Sequence, residues 1–242
     1  MDLVPEKKRS GAILRDDDGE QGEEGGGGKK TVVVSSSTPS ASSLFLSSSS
    51  SSSSSPATTG TLGEGGDIKF LLDGSPNGPR PTLECCAHVS PRLITTLLAK
   101  LPVAPALVLS IGCGQGFLEE ALLRASQAEL NLYGVEVETC PNKFLRGERL
   151  LRVPNTFALH ADAILADAWM FIYPRSISLL ERYLSVFVRG VLDSVIWLGP
   201  SEEFPEAQKV LLSSFDQLEI IGTPVLPGYE TLAIATGRQG SG

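Results

Sequence analysis

A chain of 242 residues with a net charge of −8 can fill one sizeable core or two small ones. The negative charge repels polyanions, so nucleic acid is not an expected partner, and no apolar run is long enough to predict a membrane partner. Cys85, Cys86, Cys113 and Cys140 lack the spacing of a disulfide framework, and no secretory leader is expected. Together these point to the cytoplasm, with the nucleus as the alternative.

Residues 1–81 read as a disordered, low-complexity tail and linker. They hold Asp16-Asp17-Asp18, the glycine run 25–28 and the serine run 47–55. Such a composition buries too little apolar surface to offset the chain entropy lost on ordering. Lys7-Lys8-Arg9 is too short a basic cluster to carry an address. Two apolar islands, Thr31–Val34 and residues 44–46, interrupt the tail and are expected to stay solvated. Order is expected over residues 82–238, as one α/β domain.

Within that domain Ser90 caps a helix over 91–101, with Pro91 at its first position. An apolar strand at Leu107–Ile111 breaks into Gly112, Gly114 and Gly116, and a helix follows at Phe117–Ala125. Next come a strand over 130–137, a helix over 141–153, a short strand over 156–160 and an apolar strand over 168–173. Ser176 caps a helix to 189, a strand follows over 192–198, and Ser201 caps a helix over 202–215. Strands over 217–221 and 230–236 close the chain as an antiparallel hairpin. Alternation of this kind predicts a doubly wound α/β sheet.

Ligands of such sheets lie beyond the carboxyl ends of the strands, next to the first strand–helix turn. Glycines there take up positive φ and expose bare backbone beside a helix N-terminus. The spacing here is G-x-G-x-G, not the dinucleotide G-x-G-x-x-G. Glu136, at the tip of the second strand, is placed to accept two ribose hydroxyls. At the same edge Tyr173-Pro174-Arg175 supplies an aromatic and a cation, Tyr173 to stack on an acceptor and Arg175 to hold a carboxylate. Both are weak candidates for catalysis. His88 and His160 are candidate bases by residue type alone, with His160 read as structural. Cys85-Cys86-x-His88 offers at most three ligands, two of them vicinal, and no metal site is expected.

The residues Ile111-Gly112-Cys113-Gly114-Gln115-Gly116 resemble motif I of the class I S-adenosylmethionine-dependent methyltransferases. The match departs at Ser110, where that family usually has an acid near the methionine part of the cofactor. The resemblance covers roughly residues 90–236. It implies a Rossmann-like methyltransferase sheet of seven strands whose last pair is antiparallel. It also implies S-adenosyl-L-methionine as cofactor, with Gly112, Cys113, Gly114 and Gly116 forming the turn. Glu136 with Val137 would hold the ribose, and Asp162 with Ala163 would meet the adenine. The expected function is methyl transfer to an unknown acceptor, a small molecule or a protein. A rival expectation is a catalytically silent methyltransferase-like domain acting as a protein-interaction module. Ser110, the lack of a catalytic motif and the short connections after the fourth and fifth strands favour that rival. A nicotinamide-dependent oxidoreductase comes third, against the glycine spacing.

Overall fold

The unbroken apolar runs of the sequence become strands covered on both faces, as expected where helices flank a sheet. The structure, a computed structural model, describes residues 30–34, 80–82 and 84–238. The order is β1 (Thr31–Val34), β2 (Arg80–Thr82), β3 (Cys85–Val89), α1 (Pro91–Lys100), β4 (Leu107–Ile111), α2 (Phe117–Ala125) and β5 (Asn131–Val137). There follow β6 (Leu150–Val153), β7 (Ala168–Ile172), α3 (Ile177–Phe187), β8 (Ser194–Pro200), α4 (Phe204–Ser214), β9 (Phe215–Ile221) and β10 (Glu230–Arg238). The main sheet runs β1-β9-β10-β8-β7-β4-β5-β6. Its neighbours are parallel except β10, which is antiparallel to both β8 and β9. Strands β2 and β3 form a separate antiparallel pair.

Period-two alternation divides the core between the two faces. Along β7, Ala168, Met170 and Ile172 join Leu93 and Leu97 of α1 and Leu118 and Leu122 of α2. Trp169 and Phe171 point the other way, into the layer of Tyr183 from α3 and Leu211 from α4. Ser90 Oγ accepts the Leu93 N–H at 3.1 Å at the start of α1, and Ser176 Oγ accepts the Ser178 N–H at 3.2 Å before α3.

Several expectations are corrected. The sheet has eight strands, not seven, because Thr31–Val34 adds to the open edge of β9 in parallel register. Four β-branched residues favour the extended backbone, and the ladder satisfies their peptide groups. Burial contributes little: Val32, Val33 and Val34 remain 43%, 50% and 74% exposed. The disorder expected of 1–29 and 35–79 lies outside the described residues.

The helix expected over 141–153 is also absent. Asn142 closes a local turn, its Oδ1 accepting the Leu145 N–H at 3.1 Å and its amide donating back to the Leu145 carbonyl at 2.5 Å. Such side-chain bonds compete with a helix. The third parallel strand is therefore β6, and 156–160, expected as that strand, is loop. Finally, α4 starts at Phe204 behind Glu203, without a side-chain cap. Ser201 Oγ bonds Thr231 Oγ1 at 2.9 Å instead.

Candidate functional site

The glycine turn is anchored on β5: the Gly112 and Cys113 N–H groups donate to the Val135 carbonyl at 2.8 and 3.3 Å. Gly112, Gly114 and Gly116 adopt φ of +78°, +58° and +83°, a region costly for other residues. A Cβ on Gly112 or Gly114 would meet nothing within 4 Å, so their bare backbone faces open space. At Gly116 it would lie 2.7 Å from Leu145 Cγ, and at Gly134 2.5 Å from Cys113 Sγ. Gly134, paired with Ser110 across the strands, thus lets the turn pack down. The sequence carried only a lone strand glycine as its signal.

Glu136 is tied to this turn. Its Oε2 accepts the Gly114 N–H at 2.6 Å and its Oε1 the Val137 N–H at 2.8 Å. A carboxylate has about four acceptor positions, so roughly two remain for a ligand. The Val137 carbonyl is engaged by Arg152 at 2.7 Å.

Asp162 and Ala163 lie on a short 3-10 helix, Ala161–Leu165. The Asp162 side chain is 49% exposed, with its Oδ2 3.8 Å from His160 Nδ1. Ala163 is buried, donates its N–H to the His160 carbonyl at 3.2 Å and accepts from Trp169 Nε1 at 3.2 Å. His160 accepts the Asp162 N–H through Nδ1 and gives its own N–H to the Tyr183 hydroxyl. These bonds join Asp162 and Ala163 to His160 and Trp169, and none of them reaches the glycine turn.

A second polar cluster gathers four side chains from separated parts of the chain. Glu230, at the start of β10, is 2% exposed. Its carboxylate accepts the His88 backbone N–H at 3.1 Å and the Tyr173 hydroxyl at 2.6 Å, and lies 2.9 Å from His88 Nδ1. The Tyr229 hydroxyl sits 2.5 Å from His88 Nε2, the two rings meeting edge to face. Tyr173 follows β7 with φ of +51°, rare for an aromatic residue. Burial, then the bond to Glu230, pushes its phenol pKa up, so it remains a donor. Glu230 escaped the sequence reading, in which it only opened a predicted strand. Arg175 is exposed and stands near Cys140, whose thiol is pushed up by burial against the pull of Arg152 and Arg175.

Beneath the turn lies Glu119, 1% exposed, with Ser110 Oγ donating to its Oε1 at 2.5 Å. Burial pushes its carboxyl pKa up to about 7, against that hydrogen bond. Strand β3 connects the two clusters: the Cys85 thiol, pushed up to about 12 chiefly by burial, feels Glu119 and, more weakly, Glu230. Cys113 is raised by burial and then by Glu119, so neither thiol is an activated nucleophile. Among the described residues no group of three or more His, Cys, Asp or Glu could hold a metal ion.

No protein-family model matches the sequence, and no curated protein matches it. Solved structures similar to the fold include a precorrin-6y C5,15-methyltransferase from Geobacter metallireducens, at 13% identity and a TM-score of 0.45, covering 66% of this chain and 95% of that one. A SAM-dependent O-methyltransferase from Thermotoga maritima is 14% identical with a TM-score of 0.46, covering 71% of each chain. A T. thermophilus 16S rRNA N2 G1207 methyltransferase, solved with AdoMet and guanosine, is 13% identical with a TM-score of 0.44, covering 66% and 44%. At such scores no residue role is transferred from them. By its own strand order and its inserted antiparallel strand, the chain has a Rossmann-like α/β fold, the arrangement that the resemblance of the glycine turn implies.

Proposed function

We propose that residues 82–238, with the strand Thr31–Val34 added at the β9 edge of the sheet, form an S-adenosylmethionine-dependent methyltransferase domain. The observation that carries this reading is the link between turn and acid. Gly114 donates to Glu136 at 2.6 Å while the Cα faces of Gly112 and Gly114 stay open. A bare backbone cradle beside a half-used carboxylate suits an adenosine with two free ribose hydroxyls. Gly112, Cys113, Gly114 and Gly116 shape the cradle, Glu136 takes the ribose and Val137 fixes that carboxylate. Asp162 offers an exposed carboxylate for the adenine amino group, and Ala163 holds the loop that carries it. When bound, the cofactor supplies a methyl group activated by a sulfonium.

Acceptor chemistry belongs to the second cluster. Glu230 orients His88, whose Nε2 then faces a hydroxyl in the structure itself. A base so placed can remove a proton from an acceptor's hydroxyl or amine. Tyr173 fixes Glu230, and exposed Arg175 is available to an acceptor's carboxylate. The acceptor is a small molecule or a protein. Incubation with methyl-labelled S-adenosylmethionine and a cell extract tests the reading. Label should move to an acceptor with the wild-type chain and not with Gly114→Arg. Equal labelling by both would refute it.

A further inference from the structure

Glu119 sits in the first turn of α2 at 1% exposure, where an ionised acid is costly unless paired. One oxygen has Ser110, but Oε2 has no hydrogen-bond partner among the described residues. Gln115 Oε1, in the glycine turn, is likewise buried without a donor. Among the described residues the groups acting on Glu119 are Ser110 of β4, its own backbone N–H and Glu136 of β5, with the thiols of Cys113 in the turn and Cys85 of β3 nearby, and none is a cation. Each orphaned atom is an acceptor without its donor, and Glu119 is without a positive charge beside it. A compact ammonium, with three N–H groups and one charge, supplies both.

We infer that Glu119 is the anionic end of the cofactor cleft and receives the α-ammonium of the ligand's amino-acid part. The inference rests on the S-adenosylmethionine reading of the glycine turn. Ser110, the strand residue before the turn, carries no charge; it holds Glu119 Oε1 and leaves Oε2 for the ligand. Burial keeps the Glu119 carboxyl near the midpoint of its titration at neutral pH. An arriving ammonium would draw it fully to the carboxylate. The neighbouring thiols, both pushed up, stay neutral throughout.

Calorimetric titration of the full chain with two probes tests this. S-Adenosylhomocysteine carries the ammonium; 5′-methylthioadenosine keeps the nucleoside and the thioether but has no amino-acid part. Glu119→Gln should weaken the first by at least about tenfold, the scale of one hydrogen bond to a charged group, and leave the second within about twofold. Unchanged affinity for S-adenosylhomocysteine would overturn the inference. So would equal weakening of both probes, since Glu119 would then only shape the turn. Glu136→Ala should weaken both probes alike, which keeps the cofactor reading separate. If the wild-type chain binds neither probe, that reading falls and this inference with it.

Discussion

The two halves of the carboxyl edge are built in opposite ways. The proposed cofactor half comes from neighbours in sequence: strand β4, three glycines, helix α2 and an acid at the end of the adjoining strand. The proposed acceptor half is assembled from His88, Tyr173, Tyr229 and Glu230, contributed by β3, the end of β7 and the start of β10. A local device depends on backbone shape and tolerates changes elsewhere. A convergent one depends on a single buried carboxylate that satisfies donors from several segments, and loses them together.

The largest effect on stability should come from Glu230→Ala. Removing that acceptor leaves the Tyr173 hydroxyl and the His88 N–H groups without it in a buried place, costing about 3–5 kcal/mol. Chemical denaturation measures the loss, while affinity for S-adenosylhomocysteine should change little at temperatures where the variant is folded. Loss of both in proportion would mean that the halves are one unit.

A middle-sized effect belongs to Glu119. Its carboxyl pKa is raised in the fold, to about 7 from 4.5, so the fold binds its proton more tightly than the unfolded chain does. Its stabilising share is present below the unfolded value and is lost as pH rises through about 7. The span is about 3 kcal/mol. Melting of the ligand-free chain across that range should show the decline, and Glu119→Gln should flatten it. A wild-type profile as flat as the variant's would contradict the burial argument.

The smallest effect is expected at Tyr229, a residue that is 56% exposed. Tyr229→Phe should cost within about 1 kcal/mol, one hydrogen bond at the surface. The imidazole NMR signals of His88 should then move, because the hydroxyl beside Nε2 is gone. Imidazole signals identical to the wild type's would place Tyr229 away from His88 in solution.

The sequence disclosed these regions unequally, for the same reason. The glycine turn and Glu136 are marked by spacing along a strand–turn–helix unit, α1 and α3 by caps and periodicity and α2 by periodicity after the glycines, all short-range signals. Glu230 and Gly134 carry no such mark, because their partners are distant in sequence. Glu119 was hidden differently: an acid in a first helical turn is normally a solvated partner of the helix dipole, and only packing under β3 buries it. The strand Thr31–Val34 had β-branched residues but no nearby partner, since β9 lies at the other end of the domain. Around Asn142 a side-chain turn overrode a helical distribution of apolar residues.

The central claim, that the glycine turn and Glu136 hold an adenosine cofactor, is tested most directly by thermal unfolding of the full chain with and without S-adenosylhomocysteine. At a hundredfold excess over its dissociation constant the ligand should add about 2.7 kcal/mol, a rise of several degrees for a chain of this size. The rise should vanish in Gly114→Arg, which introduces a side chain into the open cradle. It should shrink in Glu136→Ala, whose binding loss is about 1.5–3 kcal/mol. A cooperative wild-type transition that saturating ligand does not move would contradict the account.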